Sequence, residues 1–173
     1  MPLPADLLRM RIRNEVEMCQ KELRHHLTLS DPMLISFPIL VNVTLLRVPG
    51  PDWEEGKIVN RFVHRFGILI DEDYPMEKPI VKWQTPIFHP NIMPPEDGGY
   101  VCTKLLEKWD FSSNLMSFIK GIESLLANPN PANPFGNDTC TRAAAYFNRN
   151  RYKPPATMDQ TDRRVRIVGD VDG

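Results

Sequence analysis

Paired cysteines, long apolar runs and an excess of either charge are all missing from this sequence. Its three cysteines, Cys19, Cys102 and Cys140, lie far apart and form no CxxC pair, which argues against a zinc ribbon and against a disulfide-stapled secreted fold. A reducing, cytoplasmic setting is expected, with no metal. Lysines and arginines number 21 against 22 acidic residues, and the isoelectric point is near 6.4, so no global positive field gathers nucleic acid or anionic lipid. Neither nucleic acid nor a membrane is expected as a partner. Residues Met1 to Asp6 lead into a segment broken by Arg9, Arg11, Arg13 and Glu15, and nothing there has the apolar length of a signal peptide or membrane span. Repeats and low-complexity tracts are absent.

What the chain does have is enough apolar material for one core: 173 residues, 42% of them hydrophobic. It also has one chemically suggestive stretch. Ile87-Phe88-His89-Pro90-Asn91-Ile92 is followed by Gly98-Gly99-Tyr100-Val101-Cys102 and then by Trp109. A thiol close in sequence to an amide donor suits thioester chemistry, in which sulfur carries an acyl group and the amide steadies the oxyanion formed on attack. A cysteine hydrolase would need a histidine base, and His25, His26 and His64 lie on other elements while His89 belongs to the turn.

Periodicity predicts a first helix from about Ala5 to about His26, with Leu8, Ile12, Val16, Cys19 and Leu23 on one apolar stripe. Cys19 is therefore expected to pack. Four β-rich runs follow, Ile39–Leu46, Ile58–Phe62, Phe66–Ile70 and Ile80–Trp83, with turn signals at Pro49-Gly50-Pro51 and Glu55-Gly56. Pro75 and Pro79 interrupt helix and ladder alike. Ser112 or Ser113 is expected to cap a helix carrying Leu115, Phe118, Ile119, Ile122, Leu125 and Leu126. A proline-rich stop from Asn128 to Pro134 precedes a last helix capped by Asn137 or Asp138, bearing Ala143, Ala144, Tyr146 and Phe147. Beyond Tyr152 prolines and charge predict a tail, in which Val165, Ile167 and Val168 could form a short strand.

The order of these features resembles the ubiquitin-conjugating enzyme family. The matching motifs are Tyr74-Pro75, Phe88 to Ile92, Gly99 to Cys102, Trp109, and Ser124 to Pro131 with Pro134, so the likeness covers roughly Leu7 to Arg151. It implies an α/β (α+β) fold with an N-terminal helix, a four-stranded antiparallel meander sheet and C-terminal helices. The expected layout is a catalytic domain over 1–152 and a proline-containing polar tail over 153–173. Implied too is the activity: an activating enzyme, which uses the ATP, passes ubiquitin or a ubiquitin-like protein to Cys102 as a thioester, and Cys102 surrenders it to a substrate lysine or a ligase, a ligase of RING type being the expected partner. No cofactor is implied for this chain. The alternative reading is a catalytically silent variant of the same fold that binds modifier or acts as a scaffold.

By the family's motif, Asn91 would hold the active-site loop and help stabilise the oxyanion, while His89 and Pro90 shape the turn. Asn133 stands just before Pro134, where the family commonly places an acid that orients the incoming lysine, and Asp138 is a candidate substitute for that acid. Thr103-Lys104 replaces the usual leucine and acid after the cysteine, and the loop around Met93 to Asp97 is lengthened. The resemblance puts Arg9, Arg11 and Arg13 at the activating enzyme, and Met76, Phe111 and Ser112 at the ligase.

Overall fold

The computed structural model describes residues 2–106 and 108–155. The element order is α1 (Ala5–Glu22), β1 (His26–Leu29), β2 (Ile39–Glu54), β3 (Lys57–Ile70), β4 (Ile80–Trp83), α2 (Leu115–Ala127) and α3 (Asp138–Arg149). The strands pair antiparallel in the order β1-β2-β3-β4, so the sheet is a meander as expected. The tail expected over 153–173, with its strand at Val165 to Val168, lies from residue 156 onward outside the described residues.

Helix α1 buries Leu8, Ile12, Val16 and Cys19, the stripe its spacing predicts. It ends four residues earlier than expected, because the chain is pulled into the sheet. His25 Nδ1 accepts the Leu46 N–H at 3.0 Å, its Nε2 meets Glu123 at 2.8 Å, and His26 already pairs with Thr44. These tertiary bonds override a helical preference worth only tenths of a kcal/mol per residue. That is why the first strand of the sheet was invisible as a run: it hides at the end of a helical pattern.

The other strand expectations need correction. Pro49-Gly50-Pro51 makes no turn but lies within β2, at an irregularity in register between Leu46 and Gly50. The hairpin turn is Glu55-Gly56 alone, with φ of 50° and 80°, the left-handed pair that suits a two-residue hairpin loop. Ile58–Phe62 and Phe66–Ile70 belong to one strand, β3, because the register with β2 runs unbroken from Arg61 to Lys57 and from Ile70 to Val63. Alternation then sends Ile39, Val41, Val43 and Leu45 of β2, with Phe66, Ile68 and Ile70 of β3, into the core.

Helix α2 buries all six of its expected apolar residues and lies, with α1, against the sheet. Its cap is Asn114, whose side chain accepts the Ser117 N–H at 2.9 Å in a reciprocal box. Ser113 does not cap because its hydroxyl takes the Asp110 N–H, and Ser112 is held by the Asp110 carboxylate. Asn137 occupies the cap position of α3 but makes no capping hydrogen bond with its side chain. On its inner side α3 sets Ala143 and Phe147 against Phe88 and Tyr152, a small second core beside the motif-bearing segment.

Candidate active site

Burial and hydrogen bonding make His89 a strut. The ring is fully buried; Nε2–H donates to the Leu125 carbonyl at 2.9 Å, and Nδ1 accepts the Asn91 N–H at 3.0 Å. This pairing assigns the neutral Nε2–H tautomer. Burial pushes its pKa down to about 4 from the ordinary imidazole value of about 6.5. As pH falls from about 6.5 toward 4 the unfolded chain takes up a proton that the folded ring refuses, so stability is lost across that window, at up to ~1.4 kcal/mol per pH unit. Buried His64 is shifted the same way, again by desolvation. Urea midpoints measured from pH 7 to pH 4 should fall, with a shallower fall in His89→Gln.

Asn91 is also fully buried, and its carboxamide is spent. Nδ2 donates to the carbonyls of Asn130 and Asn133, each at 3.0 Å, and Oδ1 accepts the Asn130 N–H at 2.7 Å. Its own carbonyl accepts the Cys102 N–H at 2.9 Å. One residue thus joins the thiol-bearing segment to the 130–133 loop. Pro90 adds a second tie, its carbonyl accepting the Phe135 N–H at 3.0 Å. The loop-holding role expected of Asn91 fits this geometry; the expected donation to an oxyanion does not, since both donor hydrogens are committed.

The segment between Asn91 and Cys102 is a closed excursion. Ile92 bridges Val101, Met93 N–H meets the Tyr100 carbonyl at 2.9 Å, and Trp83 N–H meets the Gly99 carbonyl at 2.6 Å. Only glycine serves at 99: φ is +72°, and a Cβ there would sit 2.5 Å from the Trp83 carbonyl oxygen. The loop forms a short turn over Pro95–Asp97 and is tied to the start of α3, Asn137 Nδ2 donating to Asp97 at 2.8 Å.

Three thiols, all free, are treated differently. Cys19 and Cys140 have no exposure, and burial pushes their pKa up to about 11 and about 12. Cys140 lies under the site, its thiol against the Ile92 carbonyl at 3.6 Å. Cys102 keeps 6% exposure, at the start of the turn Thr103–Leu105. A groove of about 450 Å³ runs from that turn along α2, lined by Leu105, Leu106, Lys120, Gly121, Ser124 and Asn130 among others.

The remaining expected residues are placed as follows. Asn133 is exposed, and its Nδ2 reaches Asn130 Oδ1 at 3.3 Å. The Asp138 side chain is 92% exposed and faces Arg142 at 3.6 Å, on its own helix, and it makes no capping hydrogen bond among the described residues. Met76, Phe111 and Ser112 are exposed on two loops that lie together, joined by Trp109 Nε1–H to the Pro75 carbonyl at 2.7 Å.

The arginines of α1 are less free than their spacing suggests. Arg9 donates to the Leu34 and Ile35 carbonyls, Arg13 to the Pro32 carbonyl, and Arg11 to those of Phe111 and Ser113. The outward face of α1 instead shows Leu7, Met10 and Met18, each more than half exposed. Sequence reasoning missed Glu15 and Asn130, the two hubs that organise these loops. Only the Arg11/Glu15 spacing of four hinted at the first.

A helix, a four-stranded antiparallel meander and C-terminal helices define the ubiquitin-conjugating fold, and solved structures show the same architecture: the likeness to S. cerevisiae Ubc12 has a TM-score of 0.62 over 92% of this chain and 76% of that one, at 24% identity. The family described as ubiquitin-conjugating enzyme matches residues 39–158, and the chain belongs to it. Similar proteins include a probable ubiquitin-conjugating enzyme of Acanthamoeba polyphaga mimivirus, 35% identical over 54% of this chain and 56% of that protein. Ubiquitin-conjugating enzyme E2 N of Drosophila melanogaster is 36% identical over 44% of this chain and 49% of its own length. The chain thus spans about half the length of the curated relatives it matches.

Proposed function

We propose that this protein carries ubiquitin or a ubiquitin-like protein as a thioester on Cys102, receives it from an ATP-consuming activating enzyme, and yields it to a substrate lysine or to a ligase, with a ligase of RING type as its partner. The observation that carries this reading is that Cys102, though buried, is the one cysteine of the three whose residue retains any exposure, 6%, while its backbone N–H is bonded to the carbonyl of the buried Asn91. Such a site needs no triad. A thioester is already activated towards nitrogen, and the main burden is the acceptor lysine, whose deprotonation at pH 7 costs about 4.6 kcal/mol. The groove along α2 suits the extended tail of the modifier. In this reading the ligase meets Met76, Phe111 and Ser112, and the activating enzyme meets α1, where Arg13 is exposed next to the apolar outward face. The reaction is placed in the cytoplasm, consistent with three unpaired thiols.

Incubation with an activating enzyme, ATP and modifier, followed by gels with and without reductant, tests the reading. A reductant-sensitive adduct that is abolished in Cys102→Ala and persists in Cys19→Ala and Cys140→Ala is expected. No adduct with any modifier would favour the silent, modifier-binding variant instead.

A further inference from the structure

A tetrahedral intermediate at a thioester on Cys102 needs hydrogen-bond donors that are not already in use. Asn91 has none to give, as its two N–H bonds end on the carbonyls of Asn130 and Asn133. Asn133 has the reverse character. Its side chain is exposed, one N–H makes a long 3.3 Å contact to Asn130 Oδ1, and the other N–H has no partner among the described residues. It is also bound into the site: the Asn133 carbonyl is held by Asn91 Nδ2 at 3.0 Å, and the Asn91 carbonyl holds the Cys102 N–H at 2.9 Å. The two asparagines divide the labour, the buried one fixing the loop and the exposed one left free to act.

We propose that the Asn133 carboxamide is the oxyanion donor of this site, an assignment that rests on the thioester reading above. In the step it serves, the neutral amine nitrogen forms a bond to the thioester carbon and the carbonyl electron pair moves onto oxygen, where the Asn133 N–H receives it. Collapse restores the carbonyl, breaks the C–S bond and expels the Cys102 thiolate, and the proton on the new amide nitrogen leaves to water. A neutral donor acts on the acyl oxygen, so it helps every nucleophile. A carboxylate at the same place would act on the ammonium group and help lysine alone.

That difference is measurable. Cys102 would be charged with ubiquitin, either through activating enzyme and ATP or by exchange with ubiquitin bearing a C-terminal mercaptoethanesulfonate thioester, and single-turnover discharge followed with lysine and with hydroxylamine. Asn133→Ala should slow both nucleophiles, by about 10²-fold. Asn133→Asp, which keeps the shape and removes the donors, should slow hydroxylamine to the same extent. The proposal is overturned if Asn133→Ala leaves hydroxylamine discharge unchanged, or if Asn133→Asp speeds lysine discharge while hydroxylamine is unaffected, for then position 133 handles the amine. Exposure of the side chain means neither variant threatens the fold, which a thermal melt verifies. Failure of the unaltered chain to accept ubiquitin by either route would bring down the thioester reading itself, a result distinct from a charged protein indifferent to Asn133.

Discussion

Replacing Asn91 with alanine should destabilise the protein by about 3 kcal/mol and loosen the 130–133 loop before it touches the chemistry of the thiol. The change removes three hydrogen bonds made by one fully buried side chain, those to the Asn130 carbonyl, the Asn133 carbonyl and the Asn130 N–H. Each deserted group loses a bond worth roughly 1 kcal/mol, and more where water cannot replace it. For a chain of this size that corresponds to a melting temperature lower by roughly 6–12 °C. Asn91→Asp should be as harmful or worse: it keeps the acceptor for Asn130 N–H but sets a carboxylate against two carbonyls. Calorimetry gives the stability, and amide hydrogen exchange over 130–135 gives the loop. An Asn91→Ala protein with an unshifted melting temperature would show that these contacts do not hold the loop. Discharge should slow as well, by an indirect route, since Asn133 loses the bond that positions its backbone.

Glu15→Ala should cost about 2–4 kcal/mol and disturb both loops that present Met76 and Phe111. One Glu15 oxygen accepts the Tyr74 hydroxyl and the Leu115 N–H, the other the Arg11 Nε–H at 2.7 Å. Arg11 in turn lies over the rings of Tyr74 and Phe111, at 5.7 and 5.3 Å from their centroids. Removing the carboxylate leaves a half-buried guanidinium without its counter-ion and a buried phenol without its acceptor, which is why the cost exceeds that of an exposed ion pair. The Tyr74 phenol is held neutral far above its ordinary range, by burial first and by the adjacent Glu15 next, so it stays a donor at any ordinary pH. Trp109 emission reports the change, because its indole spans the same loops through Pro75. Arg11→Met should give a smaller loss in the same place; if it slowed charging of Cys102 and left Trp109 emission unaltered, Arg11 would be a docking residue and not a clamp.

Several parts of this molecule were legible in the residues. The α2 positions at Leu115, Phe118, Ile119, Ile122, Leu125 and Leu126 all face inward as their spacing required, because a helix laid on a sheet has one buried side and periodicity records it. Glu55-Gly56 was legible as a turn because a two-residue hairpin needs left-handed backbone. Pro49-Gly50-Pro51 carries the same kind of signal yet makes no turn, since pairing with β3 continues on both sides of it. His25 and His26 continue a helical sequence and nevertheless leave the helix, drawn out by partners about twenty and a hundred residues away.

The same boundary runs through the site. Order along the chain determined the family likeness, the core stripes of α1 and α2, and the thiol set after its HPN turn, because each of these is written in residue spacing and in the succession of motifs. Only the tertiary structure decided which asparagine has hydrogens to spare, that the α1 arginines are bound to loop carbonyls of their own chain, and that the exposed Asp138 faces Arg142. Those outcomes depend on which groups meet across large separations in sequence, and a hydrogen-bond donor, once its partner is in place, has nothing left to offer a second one.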